Sequence, residues 1–207
     1  MIGNDGIRKA KAGRLGFFMA LVIVAACQTT SGAERVYSGK AYSIVSPFGS
    51  WVGVVGGRRD DVHIGVDIVA PAGTPVYAAT SGTVVRSFGN ERVGEQIKIF
   101  SRFGSVGFIS HYVHLQKRFV RMTEEVETGQ LIGAVGKTGE KSGDVNHLHF
   151  GIGFGPNYDR VDPEQFLFGE NGGLECVEPG KQYSRDRYVE APERREARFV
   201  YPVACTR

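Results

Sequence analysis

The stretch HIGVDIVAPAGTPVYAATSGTVVRSF, residues 63–88, decides the fold class. It contains three short runs, HIGVDIV (63–69), TPVYAA (74–79) and GTVVRSF (82–88), separated by proline, glycine and serine. Short runs rich in β-branched residues and bounded by such breakers read as strands. The pattern recurs upstream in AYSIV (41–45), and downstream in EQIKIF (95–100), VGFISHYVHL (106–115), QLIGAVG (130–136) and NHLHFGIG (146–153). Glycine supplies 29 of 207 residues with no collagen-like period, so the glycines mark turns and tight connections. Only Pro163 to Phe168 and parts of 180–198 have helical character. The expected fold is mainly β, an antiparallel β-sandwich or open barrel with few short helices.

Composition narrows the function classes. At 42% hydrophobic and 23% charged, the chain is too apolar for a disordered polymer. The formal charge of +3 resides in residues 1–26, where Arg8, Lys9, Lys11 and Arg14 face Asp5. The remainder is neutral, which removes the main support for a nucleic-acid partner.

Those basic residues precede LGFFMALVIVAA, Leu15 to Ala26, a run too short to span a bilayer and suited to a secretory leader. It ends in Val24-Ala25-Ala26-Cys27, which resembles the lipobox of bacterial lipoproteins. The resemblance implies cleavage before Cys27 and lipidation of its thiol; a plain signal peptide with an incidental cysteine is the alternative. Gln28 after that cysteine implies sorting to the periplasmic face of an outer membrane, in a host that has one. The expected organisation is a leader over 1–26, a tether over 27–40, a domain over 41–168 and a C-terminal appendage over 169–207. In an oxidising compartment Cys176 and Cys205 could close a loop of about 30 residues, stabilising by roughly 3–4 kcal/mol; two free buried thiols are the alternative.

All five histidines fall in three groups: His63, the pair His111 and His114, and the pair His147 and His149. On a strand, His147 and His149 project to one face while Leu148 enters the other layer. Asp67 follows His63 by four positions, which share a face but lie roughly 13 Å apart in a regular strand. A bend at Gly65 would let both reach one ion. Two imidazoles and a carboxylate form a three-ligand zinc site with a fourth position open, the mark of catalysis rather than structure. His111 and His114, three apart, should face opposite ways, so at most one reaches the centre.

HIGVDIVAPAGTPVYAATSGTVV, HYVHL, VETGQLIGAVGKTG and HLHF, in that order, together resemble the lysostaphin-type (LytM-type) zinc endopeptidases of bacterial cell walls. SPFG at Ser46 to Gly49 and VDP at Val161 to Pro163 fit the same family. The resemblance implies a β-sheet core with a groove over one face, one zinc ion at its floor and peptidoglycan peptide as substrate. It implies His63, Asp67 and His149 as zinc ligands, and His114 and His147 as catalytic histidines; His111 has no counterpart. Two places depart from the family: Gly143-Asp144-Val145-Asn146 before the H-x-H, and Trp51 to Val62. The charges Arg58, Arg59, Asp60 and Asp61 read as a solvated loop or as substrate contacts, and Trp51 as a groove wall or a packing residue.

Other chemistries lack their motifs. Gly136-Lys137-Thr138 resembles the end of a phosphate loop, but Leu131 stands where that loop needs glycine. Neither G-x-S-x-G nor H-E-x-x-H occurs. The expectation is a lipid-anchored endopeptidase hydrolysing cell-wall cross-links. Its rival is a non-enzymatic envelope lipoprotein that binds peptidoglycan and activates an amidase. No protein partner is legible in the sequence.

Overall fold

In VGFISHYVHL the strand period is directly visible: Phe108, Ser110 and Tyr112 are fully buried, while Gly107, Ile109 and His111 between them are only partly buried. NHLHFGIG does the same, with Leu148, Phe150 and Ile152 in the core. These two strands pair antiparallel, His149 opposite Val113 and Gly151 opposite His111, and form the centre of the molecule.

The computed structural model describes residues 40–155, 157–167, 174–178, 180–183, 188–191 and 194–206. The leader, Cys27 and the tether as far as residue 39 lie outside the described residues. Among the described residues, no helix is long and apolar enough to cross a membrane. The strands are β1 (Ile44–Ser46), β2 (Val66–Val69), β3 (Pro75–Tyr77), β4 (Gly82–Ser87), β5 (Glu95–Phe103) and β6 (Val106–Leu115). They continue as β7 (Lys117–Arg118), β8 (Glu125–Val126), β9 (Leu131–Ala134), β10 (His147–Phe154), β11 (Asp159–Val161), β12 (Tyr188–Ala191) and β13 (Arg194–Ala197).

The main sheet runs β1-β2-β10-β6-β5-β4-β8, with β11 on β10; a smaller sheet runs β3-β9-β7. All pairs are antiparallel, and the main sheet is open rather than a closed barrel. Both sheets contribute to one apolar core, Ile97, Ile99 and Phe150 from the first and Val76 and Ile132 from the second. Each buried Ile, Leu or Phe there stabilises by about 1.5–3 kcal/mol through removal from water. Each of the eight strand-like runs contains a strand.

The end of the C-terminal segment folds back on the domain and packs into its core. Phe199, Val200, Tyr201 and Val203 are fully buried, and Val203 forms a bridge with Val76 of the smaller sheet. Backbone bonds from Val200 to Ala79 and from Ala204 to Pro75 tie this end to the domain. A disulfide joins Cys176 to Cys205, with Cα atoms 5.9 Å apart. Among the described residues of 180–198 the expected helical character is not found: β12 and β13 pair antiparallel. Pro192 between them is incompatible with a helix interior, which removes an internal hydrogen bond and clashes one turn back. The helical expectation at Pro163 is met by a single 3-10 turn, Pro163–Phe166, started by the Asp162 side chain accepting from the Glu164 amide.

Candidate metal centre and active site

β2 and β10 pair so that His149 lies opposite Asp67, which puts an imidazole and a carboxylate on one face by register alone. His63 precedes β2, where the chain bends before it enters the sheet at Val66. Gly65 makes the bend possible. A Cβ there would stand 2.4 Å from the Phe150 carbonyl oxygen and 2.8 Å from His149 Nε2, so only hydrogen fits between the approach and β10.

The result is a near-equilateral triangle of donors. His63 Nε2 lies 3.1 Å from Asp67 Oδ1 and 3.0 Å from His149 Nδ1, and His149 Nδ1 lies 3.0 Å from Asp67 Oδ1. His63 Nδ1 donates to the Pro47 carbonyl at 3.0 Å, which leaves Nε2 of a neutral ring as a lone-pair donor aimed into the triangle. Tetrahedral zinc with bonds of about 2.0–2.1 Å spaces its ligand atoms by roughly 3.3 Å, so this donor set fits zinc. Burial opposes ionisation of Asp67, but its close contacts with His149 and then His63 outweigh it and hold the carboxyl far below its ordinary range. The Asp67 carboxylate therefore stays charged, as a ligand must.

Two further imidazoles border the triangle. His147 Nε2 is 3.7 Å from Asp67 Oδ1, and the His114 and His147 ring centres are 4.8 Å apart. Each ring is anchored through Nδ1: His114 donates to the Thr138 carbonyl at 2.9 Å, and His147 to that of Val145 at 2.8 Å. Both therefore present Nε2 as an acceptor when neutral. Burial, with His147 and His149 nearby, pushes the pKa of His114 down to about 4; burial also lowers that of His147.

Strict alternation would turn His114 away from His111, yet both line the same cleft. The register between β5 and β6 slips by one residue between Glu95 and Ile97, and His114 adopts a left-handed φ of 63°. A bulge next to a site re-aims a side chain in this way. Left-handed backbone at a non-glycine residue is a strained state that persists only where its surroundings enforce it.

The cleft has a volume of about 960 Å³, and Arg58, Arg59, Asp60 and Asp61 all line it. Arg59 is not merely solvated. Its guanidinium pairs with Asp67 Oδ2 and donates to Ser46 Oγ at 3.1 Å. Trp51 is half exposed and carries Arg58 over its ring, 5.8 Å from the centre. Sequence reasoning missed the roles of Arg59, Thr138 and Val145 in holding these groups. Backbone carbonyls carry no residue-type signal, and Arg59 sits in an aperiodic loop.

This zinc-compatible triad at neighbouring antiparallel strands accords with the comparison to known proteins. The model of Peptidase family M23 matches residues 61–163. The chain is 43% identical over 88 residues to the peptidoglycan DD-endopeptidase ShyC of Vibrio cholerae, a match covering 42% of this chain and 19% of that protein. Among solved structures, the catalytic domain of lysostaphin from Staphylococcus simulans is 31% identical, the match covering 60% of this chain and 89% of that domain, with a TM-score of 0.46. A zinc-containing peptidase from Vibrio cholerae is 31% identical, covering 59% of this chain and 36% of that one, with a TM-score of 0.50. Residues 61–163 belong to peptidase family M23. The chain spans about a fifth of the length of ShyC.

Proposed function

We propose that the protein is a zinc-dependent endopeptidase that hydrolyses peptide cross-links of bacterial peptidoglycan. The observation that carries this reading is the convergence of His63, Asp67 and His149 within 3.1 Å of one another beside two anchored imidazoles. In this reading His63, Asp67 and His149 hold one zinc ion per chain. When bound, zinc acidifies water toward a pKa of about 7 and polarises a carbonyl.

The remaining chemistry belongs to this chain. His114 and His147, neutral and with Nε2 free to accept, supply a base for the proton of the attacking water. The ring that takes the proton keeps its Nδ1 bond to a main-chain carbonyl and gains an Nε2–H. It can then donate to the developing oxyanion or to the leaving amine. Because both rings are anchored alike, each can act in either role. The intact donor triad and both anchored histidines support hydrolysis over the reading of a non-enzymatic, amidase-activating lipoprotein.

The leader and Cys27 support an extracytoplasmic protein held by a lipid at the periplasmic face of an outer membrane, and the disulfide suits an oxidising compartment. The test is digestion of purified sacculi by zinc-loaded protein, with and without chelator, and identification of the new termini. Chelator-sensitive release of peptides with new amine and carboxyl ends is expected. Intact cross-links at full zinc occupancy would overturn the proposal.

A further inference from the structure

Beyond His149, the cleft face of β10 carries only glycine. Gly151 and Gly153 follow at two-residue steps on the same face, roughly 7 and 13 Å along the strand from His149, and both are buried. Tyr158 lies across them. Its ring occupies the space of any Cβ at Gly153, and its hydroxyl is 3.7 Å from where a Cβ of Gly151 would be.

Cations gather around this ring. Lys98 on β5 is registered opposite His111, and Arg86 on β4 opposite Lys98, so all share the cleft face. Arg160 is registered opposite Gly153. The Lys98 ammonium stands 4.7 Å from the centre of the Tyr158 ring, and the Arg160 guanidinium 5.6 Å. Lys98, His111 and Arg160 line the cleft. Among the described residues, none of the ion pairs engages Lys98, Arg86 or Arg160. Asp60, an acid that lines the cleft, pairs with Lys141 at 3.4 Å. Burial, then Arg86 and Arg160, push the Lys98 pKa down, the direction set by like charges without a counter-anion.

We propose that Lys98 and Arg160, with Arg86 behind them, form an anion subsite over Tyr158 that takes a free carboxylate of the substrate peptide. The two glycines let Tyr158 lie down against β10, and the peptide passes over its ring to these cations. The distance places the carboxylate about two to four residues from the scissile amide, or at the end of a long side chain. A cross-link built of carboxylate-bearing residues satisfies the subsite, and a neutral oligoglycine bridge does not. The inference rests on the endopeptidase reading and narrows its substrate.

The test uses two synthetic cross-linked peptides that share one D-alanyl amide bond. They differ only in a free carboxylate, or its carboxamide, three residues from that bond. KM is measured with the zinc-loaded full chain, and binding is measured by calorimetry with both the wild type and the His114→Ala protein. The wild type should favour the carboxylate peptide by about tenfold, the scale of one charge-assisted hydrogen bond. Lys98→Met and Arg160→Met should bring the KM ratio towards one, and Lys98→Arg should preserve it. Equal treatment of both peptides by the wild type, or equal weakening of both by the variants, overturns the subsite. If neither peptide is cut while calorimetry still shows the carboxylate preference, the subsite stands and the endopeptidase reading fails.

Discussion

Arg59 rests its guanidinium on Oδ2 of Asp67, while His63 and His149 address Oδ1 of the same carboxylate at 3.1 and 3.0 Å. Asp67 is 1% exposed and Arg59 23%, so a buried anion is balanced by a partly solvated cation from the loop before it. Removing one partner of a buried pair leaves an uncompensated charge. Arg59→Met should therefore lower the stability of metal-free protein by about 1–3 kcal/mol, given the partial exposure of the arginine. Zinc held by Asp67 would balance the same carboxylate, so zinc-saturated protein should lose less. Thermal melts of both proteins with and without zinc check this; equal losses in the two states would count against the balance.

The metal ligands and the anchored histidines separate by assay. Asp67→Ala and His149→Ala should abolish zinc binding and hydrolysis together. His114→Ala should keep zinc while the rate falls by about 10²–10⁴-fold, the usual contribution of a positioned base. Metal content by atomic emission, alongside release from sacculi, distinguishes the two classes. A His114→Ala protein with the wild-type rate would remove that residue from the chemistry.

Gly65→Ala tests the close approach that lets His63 and Asp67 converge. The added methyl meets the Phe150 carbonyl oxygen at 2.4 Å, and backbone at that distance must move. The expected result is a loss of about 1–3 kcal/mol in stability together with weaker zinc binding. Urea titration and competition with a chromogenic chelator read the two effects.

Phe199→Ala should reduce stability by about 3–5 kcal/mol, the range for emptying a buried aromatic site. Phe199 stacks on Phe103, Phe108 and Phe166, with ring centres 5.1–6.0 Å apart. A true appendage would tolerate the change. Denaturant midpoints therefore decide whether the C-terminal segment is part of the core.

His111 gives a pH prediction. Burial and then the Lys98 ammonium push its pKa well below the ordinary imidazole value, and its Nε2 donates to Gln96 Oε1 at 2.9 Å. Below about pH 6.5 the unfolded chain takes up a proton that the folded His111 refuses. Its contribution to stability is thus complete above that pH and declines as the pH falls, by up to about 1.4 kcal/mol per pH unit. His111→Gln should make the decline shallower by about one proton between roughly pH 6 and pH 5, read from urea midpoints. Parallel curves for the two proteins would show that His111 titrates normally.

Local pattern by itself determined the strands. Alternation in VGFISHYVHL and HLHFGIG, with glycine and proline at the turns, names which residues enter the core, because strand period is a property of neighbouring residues. It also put His147 and His149 on one face, and the H-x-x-x-D spacing required a bend at Gly65. Tertiary structure alone decided the rest. The one-residue slip between β5 and β6 turns His114 into the cleft, against its place in the alternation. Arg59 reaches Asp67 from a loop without periodicity, and Val203 enters the core beside Val76, more than a hundred residues earlier in the chain. Lys98, Arg160 and Tyr158 meet only through strand register. Such contacts depend on which distant segments pair and in what register, and no short window of sequence carries that information.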